Sequence, residues 1–169
     1  MKILVTSDSH GNSTLLYKAA EKENPDMFIH LGDIEDDADE VAKRIGAPKI
    51  PCVFIKGNCD SYYSRGDLQS SAVFSLKGHR FYCTHGHIQS VNYGLDKLVF
   101  YALDEGCDIA LYGHTHIPFN EFIEGSFGAG KVHVMNPGSI ALPRGGSSRS
   151  YMVIDLKDSG AYNVELKTL

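Results

Sequence analysis

Six short segments of this 169-residue chain carry aspartate, histidine and asparagine in combinations that bind divalent metals. In chain order they are Asp8-Ser9-His10, Gly32-Asp33, Gly57-Asn58-Cys59-Asp60, Thr84-His85-Gly86-His87, Gly113-His114-Thr115-His116 and Asn136-Pro137-Gly138-Ser139. Mixed nitrogen and oxygen ligands without thiolates favour Mn²⁺, Zn²⁺, Fe or Ni²⁺ over Ca²⁺. Together the segments predict two divalent ions bound at one edge of a sheet, which is a catalytic arrangement.

Nearly every segment follows an apolar stretch, and this placement predicts that the polar side chains meet. Residues 3–5, 27–29 and 52–55 have the pattern of buried parallel strands, with helical spacing between them. Open α/β sheets bind ligands outside the carboxyl ends of their strands. We therefore expect five side chains to reach the same sheet edge: Asp8, Asp33, Asn58, His85 and His114.

The rest of the chain predicts a second set of strands. Residues 72–76 and 80–84 flank a glycine turn and read as a hairpin. Residues 91–103 are amphipathic at helical spacing, and residues 109–112 read as another buried strand. Residues 119–123, 131–135, 151–156 and 162–166 alternate like antiparallel strands. We predict one domain over residues 1–169, an α/β sandwich of two sheets that each mix parallel and antiparallel strands.

Charge and composition narrow the classes of partner. The formal net charge of −5 argues against coating a nucleic-acid backbone, although a metal site can supply local positive charge for a small phosphate. The first residues are too short an apolar stretch for a signal peptide, and no apolar run approaches a membrane span. The four scattered cysteines favour reduced thiols. We expect a cytoplasmic protein with no membrane partner.

The order Asp-x-His, Gly-Asp, Gly-Asn-x-Asp, His-Gly-His and Gly-His-Thr-His resembles the calcineurin-like metallophosphoesterase superfamily. The THGH, GHTH and NPGS spellings resemble its YfcE-type phosphodiesterases more closely. The resemblance extends over nearly the whole chain. It implies a four-layer α/β sandwich in which helices flank two mixed sheets.

Carried over residue by residue, the resemblance implies two metal ions that share one ligand. The first ion would be bound by Asp8, His10, Asp33 and His116. The second would be bound by Asp33, Asn58, His85 and His114. We expect Mn²⁺ at both positions, with Zn²⁺, Ni²⁺ or Fe as alternatives.

The same resemblance implies hydrolysis of a phosphoester. Ions ~3.5–4 Å apart share one water and lower its pKa, so that a bridging hydroxide attacks phosphorus in line. Asp33, Asn58 and His85 would serve catalysis through that hydroxide. Two divalent ions outweigh the charges of Asp8, Asp33 and hydroxide, which leaves a small positive charge suited to an anionic phosphodiester.

Cys59 departs from the wider superfamily, where a histidine in this motif is thought to assist the leaving group. We expect nearby metals to lower the thiol pKa, and a thiolate is a poor acid. The prediction is a preference for esters with acidic leaving groups, such as aryl phosphates. Asn58, Cys59 and Arg144 are the predicted substrate contacts, the last because an arginine can bind phosphate bidentately.

Several residues allow two interpretations. His87 would either orient a metal ligand or be satisfied locally. The Asn136–Ser139 segment is either a turn or a loop beneath the metal site. Residues 35–40 are acidic and are most simply the first turn of a helix, with a further cation site as the alternative. Three tyrosines either flank the substrate or pack elsewhere: Tyr62, Tyr63 and Tyr93.

The leading hypothesis is a phosphodiesterase acting on a small phosphoester. A phosphomonoesterase or nucleotidase is the alternative enzyme. A non-catalytic scaffold is the alternative from another class, because the retromer subunit Vps29 is similar to this family and has lost part of the ligand set. Here every expected ligand position is filled, which favours catalysis. The chain has no basic stripe for nucleic acid, and a homodimer is compatible with the sequence.

Overall fold

Ten strands and three α-helices make up the computed structural model, which describes residues 1–60 and 68–169, Phe127 by its backbone alone. In chain order they are β1 (Lys2–Thr6), α1 (Ser13–Glu23), β2 (Met27–His30), α2 (Ala38–Ile45), β3 (Cys52–Phe54), β4 (Ser71–Leu76), β5 (His79–Thr84), α3 (Asp96–Asp104), β6 (Ile109–Leu111), β7 (Pro118–Glu124), β8 (Lys131–Pro137), β9 (Ser150–Leu156) and β10 (Tyr162–Thr168). A 3-10 turn occupies Ser126–Gly128.

The strands form two five-stranded mixed sheets, as predicted. The first has the order β10-β9-β1-β2-β3, in which β1, β2 and β3 are parallel, β9 is antiparallel to β1, and β10 is antiparallel to β9. The second has the order β4-β5-β6-β8-β7, in which β5, β6 and β8 are parallel and the two edge strands are antiparallel. Each sheet therefore has a parallel centre, whose carboxyl ends can carry ligands.

Side-chain alternation explains the four layers. Ile3 and Val5 of β1 belong to the apolar core between the sheets, together with Phe81 of β5. Leu4 points to the opposite face and packs with residues of α1 and α2. The outer face of the second sheet packs on α3, which contributes Leu98 and others. Because both faces of the central strands are buried, these strands are continuously apolar. The predicted four-layer sandwich is confirmed.

Two local predictions have different outcomes. The hairpin is confirmed, since Lys77 and Gly78 join β4 to β5 with φ angles of 46° and 89°. Two-residue hairpin turns of this kind require positive φ at both positions. The helix expected over residues 91–103 is wrong at its start, because α3 begins at Asp96. Gly94 has a φ of 147°, which no α-helix accepts, and Val91 enters the outer core from a turn instead.

Among the described residues, the longest helix has 11 residues, and none has the length and apolar character needed to cross a membrane.

Candidate metal centre

The loops that follow the parallel strands bring most of the predicted ligands together. Ligand atoms of Asp8, His10 and His116 lie within 4.8 Å of one another. The same holds for Asp8, Asp33 and His85, and for His10, Asp33 and Cys59. Asp33 therefore approaches both histidine groups, as a shared ligand must.

Glycines allow these loops to approach so closely. A Cβ atom on Gly57 would overlap the carboxylate and backbone nitrogen of Asp33. A Cβ on Gly113 would overlap the hydroxyl of Ser7, and one on Gly32 would come within 2.6 Å of His85 Nδ1. The glycines that precede Asp33, Asn58 and His114 are thus required, because no side chain fits at their positions.

Left-handed backbone conformations are concentrated at the same edge. Five predicted ligands have φ angles between 44° and 65°: Asp8, His10, Asp33, His114 and His116. This conformation costs a residue with a side chain about 1–2 kcal/mol. Strained backbone of this kind is typical of functional sites, where surrounding contacts compensate for it.

The Nε2 atoms of His10 and His116 face each other. His10 Nδ1 lies 2.6 Å from Glu35 Oε2, and His116 Nδ1 lies against the Leu142 carbonyl. Both partners can only accept, so each Nδ1 must donate its proton. The Nε2 atoms then carry lone pairs, and they are 3.4 Å apart. A cation or an additional proton between them is required to offset the repulsion.

Asp8 adds a buried oxygen to this pair. Its Oδ1 lies 3.1 Å from His116 Nε2, but the contact lacks hydrogen-bond geometry, and this oxygen has no hydrogen-bond donor. Burial alone would raise the pKa of Asp8, but the protonated forms of His116 and His85 outweigh burial and lower it. A buried carboxylate oxygen without a donor fits a cation, since leaving it unpaired is costly.

His85 is oriented in the same manner at the second group. Its Nδ1 donates to the Leu31 carbonyl at 2.7 Å, and Nε2 faces Asn58 Oδ1 at 3.1 Å and Asp33 Oδ2 at 3.5 Å. Because these oxygens accept, Nε2 needs either a proton or a cation toward them. Burial would raise the pKa of Asp33, but His85 and the backbone N–H of Cys59 outweigh it and hold that pKa below its usual range. Three ligand atoms converge here.

His114 is the predicted ligand with a different environment. Its ring centroid lies 5.1 Å from that of His85, and its backbone N–H donates to Asp8 Oδ2 at 3.2 Å. The amide of Asn92 lies 3.0 Å from His114 Nε2 and donates to it. A metal at this nitrogen would replace the Asn92 contact.

Two further carboxylates hold the predicted ligands in position, and neither was given this role from the sequence. Glu35 orients His10. The prediction that residues 35–40 form the first turn of a helix is wrong, because α2 starts at Ala38 and Asp37 is its N-cap. Asp60 is 5% exposed and accepts backbone N–H groups of Asp33, Glu35 and Gly57 at 2.9, 2.9 and 2.7 Å. The sequence signal for Asp60 is its place in the Gly-Asn-x-Asp motif.

Buried His30 connects the first two loops. Gly32 N–H donates to His30 Nδ1 at 3.2 Å, so Nε2 carries the proton and donates to Ser9 Oγ at 3.0 Å. Burial lowers the pKa of His30 to about 4, which keeps the ring neutral in this role. No function was predicted for this histidine from the sequence.

The Asn136–Ser139 segment lies beneath the site, as one of its two interpretations held. Asn136 Nδ2 donates to the Gly113 carbonyl at 2.9 Å and to Thr115 Oγ1 at 3.1 Å. Ser139 Oγ donates to the Asp8 carbonyl at 2.8 Å. These bonds attach the Gly-His-Thr-His loop and the Asp8 loop to β8.

The predicted substrate contacts lie at the surface of this edge. Asn58, Cys59 and Arg144 are exposed. Without metal ions, burial and the adjacent Asp33 raise the pKa of Cys59 to about 12. The expectation that bound metal ions lower this pKa stays a prediction. Arg144 is close enough for its charge to act on His116, and its backbone N–H donates to the His116 carbonyl at 3.2 Å.

His87 fits neither of its two interpretations fully. Its ring centroid lies 5.3 Å from that of His85 and 6.1 Å from that of His114, and its buried Nδ1 has no hydrogen-bond partner among the described residues. It is therefore not satisfied locally. Tyr93 is 95% exposed, whereas Tyr62 and Tyr63 lie outside the described residues.

Comparison with protein families and sequences identifies relatives over most of the chain. The model of the calcineurin-like phosphoesterase superfamily domain matches residues 1–159. The probable metallophosphoesterase YsnB of Bacillus subtilis is 31% identical over 163 residues, which cover 95% of this chain and 88% of YsnB. The phosphodiesterase YfcE of Escherichia coli is 28% identical over 174 residues, covering 92% and 88%.

Solved structures share the fold. A conserved protein of Streptococcus pneumoniae, described as a predicted phosphoesterase, superposes with a TM-score of 0.81 at 29% identity, over 99% of this chain and 88% of its own. Vps29 of Entamoeba histolytica, solved with Zn²⁺, superposes with a TM-score of 0.74 at 18% identity, over 99% and 98%. At that identity the likeness to Vps29 shows the fold alone.

Proposed function

Because this chain belongs to the calcineurin-like phosphoesterase superfamily, we propose that it is a metal-dependent phosphodiesterase acting on a small phosphodiester. Members of this superfamily bind divalent metals, and the chain offers groups of ligand atoms suited to them. Two ions are proposed, with Mn²⁺ first and Zn²⁺, Ni²⁺ or Fe as alternatives. A phosphomonoesterase or nucleotidase is the alternative substrate class.

One observation carries the proposal: the paired Nε2 atoms of His10 and His116, 3.4 Å apart beside a buried oxygen of Asp8. Each imidazole has its tautomer set by an acceptor at Nδ1. Histidines that bind metals are oriented in this way. The proposed ligands of the first ion are these three residues and Asp33, and those of the second are Asp33, Asn58, His85 and His114.

When bound, such ions supply an activated water and positive charge for the phosphoryl oxygens. The chain's own residues set the geometry. Asp33, between the two histidine groups, is the proposed shared ligand, and the Leu31 carbonyl orients His85 toward it. The exposed Asn58 and Arg144 are proposed to contact the phosphate, because an amide and a guanidinium donate to anionic oxygens.

Hydrolysis of a diester forms a bond between phosphorus and the oxygen of water and breaks the bond to one ester oxygen. The protons of water go to the released alcohol and to solvent. Cys59 is proposed to contact the departing group without donating a proton to it, since nearby metal ions would favour the thiolate, which is a poor acid. Esters of acidic alcohols, such as aryl esters, should therefore react fastest.

The Vps29 neighbours make a scaffold the alternative from another class. The complete donor set argues for catalysis, because a scaffold has no need for three histidines with fixed tautomers. A scaffold would also not explain the strained backbone at five donor residues.

The test is hydrolysis of bis(4-nitrophenyl) phosphate by protein stripped with a chelator and reloaded with Mn²⁺. Asp33→Asn and His116→Gln should each reduce kcat/KM by more than about a hundredfold, since each removes a ligand of the ion. Asp158→Asn, the same change at a carboxylate 96% exposed, is the matched control. Comparison with 4-nitrophenyl phosphate separates diesterase from monoesterase.

Calorimetric titration with Mn²⁺ accompanies the assay. The proposal expects binding by wild type and Asp158→Asn and weakened binding by both ligand variants. Protein that binds no divalent ion and is stimulated by none of Mn²⁺, Zn²⁺, Ni²⁺ or Fe²⁺ would contradict it. Binding of Mn²⁺ without hydrolysis of any ester would favour the scaffold.

A further inference from the structure

Exposed apolar residues occur in the loops that carry the candidate metal centre. Within residues 1–60 and 68–169, nine large apolar residues are exposed, and four belong to the loops of this edge. They are Ile88 (46% exposed), Tyr93 (95%), Ile117 (46%) and Leu142 (53%), which we call the apolar rim. Exposed apolar groups that cluster around a polar site indicate a surface that a ligand or partner covers.

Two members of the apolar rim belong to the His10–His116 end of the site. Ile117 directly follows His116. The carbonyl of Leu142 accepts the proton of His116 Nδ1, so the backbone of Leu142 lies against that ring. Arg144 is two residues further along the same loop and adds a cation there.

The other two members belong to the His85–His114 end. Ile88 follows His87, whose ring lies 5.3 Å from that of His85. Tyr93 follows Asn92, whose amide donates to His114. The loops of each histidine group therefore carry one apolar pair.

A phosphodiester has a matching distribution of chemistry. Its phosphoryl group is anionic and suits the ligand cluster and Arg144, while its two alcohol substituents extend from phosphorus in different directions. A monoester has one substituent and would cover one pair at most. Tyrosine is well suited to stacking on a planar substituent, because its ring buries a large apolar area in few conformations.

We propose that the two pairs of the apolar rim bind the two alcohol substituents of a phosphodiester, so that the site selects diesters carrying aromatic or similarly apolar groups on both sides. This inference rests on the proposed phosphodiesterase activity. It assigns specificity to Ile88 and Tyr93 at one end and to Ile117 and Leu142 at the other.

The experiment varies one substituent while the leaving group stays constant. Methyl 4-nitrophenyl phosphate and phenyl 4-nitrophenyl phosphate both release 4-nitrophenol, so a difference in kcat/KM reports recognition of the retained group. Mn²⁺-loaded wild-type protein should prefer the phenyl ester by about tenfold, the effect of burying part of a phenyl ring. At least one of the double variants I88S/Y93S and I117S/L142S should reduce that ratio to about one.

Leu166→Ser is the control, because Leu166 is an apolar residue of β10 that is 50% exposed and outside the site. It should retain both the rates and the ratio. Equal kcat/KM for the two esters in wild type, or a ratio that both double variants retain, would overturn the inference while hydrolysis itself stands. Hydrolysis of neither ester would instead count against the proposed function.

Sedimentation of the same proteins tests whether the apolar rim binds a second copy of the chain instead of substrate. A dimer of the wild type that either double variant dissociates, together with an unchanged ester ratio, would mean that the rim is an interface between copies of the chain. That result would overturn the assignment to substrate. A monomer at all concentrations, with the ratio lost in a double variant, supports it.

Discussion

Asp60→Asn is the most informative single change at the site, because Asp60 binds three backbone N–H groups and no predicted ion. Asp60 Oδ2 accepts from Asp33 and Gly57, and Oδ1 accepts from Glu35. The side chain therefore joins the loop after β2 to the loop after β3. Asparagine has the same shape but only one accepting oxygen.

The expected loss of stability follows from the three hydrogen bonds of Asp60. In its better orientation the asparagine oxygen keeps the bonds to Asp33 and Gly57, and the amide nitrogen then faces the N–H of Glu35. The hydrogen bond from Glu35 N–H to a charged acceptor is lost, and this N–H then faces another donor, the amide of the new asparagine. Such a loss costs about 2 kcal/mol of unfolding free energy, or a Tm decrease of about 5 °C for a chain of this size.

The assay has two parts, each with Asp158→Asn as control. Urea unfolding in a chelator measures stability, where the exposed Asp158, paired with Lys77, should contribute less than about 1 kcal/mol. Calorimetric titration measures Mn²⁺ affinity, which Asp60→Asn should weaken by about tenfold, because the loops carrying Asp33 and Asn58 are no longer joined. Equal stability losses in the two variants, with unchanged Mn²⁺ affinity, would refute the reasoning.

Two further predictions concern groups bonded to histidine. Glu35→Gln should weaken Mn²⁺ binding by about tenfold in calorimetric titration with little change in stability, because Glu35 is partly exposed and orients His10; a stability loss without an affinity change would contradict this. His79 donates to both Asp108 Oδ2 and the Gly160 carbonyl, which only the protonated ring can do. Burial lowers the pKa of His79, but these acceptors outweigh it and raise that pKa. The resulting stability is present below the unfolded pKa of about 6.5 and is lost as pH rises through the higher folded value. Urea unfolding should show a larger loss from Asp108→Asn at pH 5.5 than at pH 9, and an equal loss at both would contradict it.

The fold could be predicted because its central strands are buried on both faces. Continuous apolar runs identified β1, β2 and β6, and alternation identified β7, β9 and β10. The alternation of β8 predicted only antiparallel pairing, whereas this strand also pairs in parallel with β6. The start of α3 could not be predicted, because Val91 contributes an apolar side chain at helical spacing without being helical. Periodicity reports which side chains are buried, and it does not report the φ angle of Gly94.

The metal-ligand residues of the candidate site could be predicted, but the groups that orient them could not. Residue type and position after a strand identified the donors, since the topology determines which loops share an edge. The orienting partners were not predictable, because several of them are backbone carbonyls, such as those of Leu31 and Leu142. Glu35 was hidden within an acidic run. The contact between Asp33 and the Cys59 thiol was also not predicted, because the two residues follow different strands.

The non-ligand positions of the six segments have a common physical role. Left-handed backbone at five donor residues destabilises the edge, and glycines at three positions allow contacts that any Cβ would block. Asp60, Asn136 and Ser139 compensate by bonding to the backbone of these loops. Together the six segments therefore combine donor residues with residues that stabilise the strained loops presenting them. This explains why an aspartate that binds no predicted ion belongs to the motif.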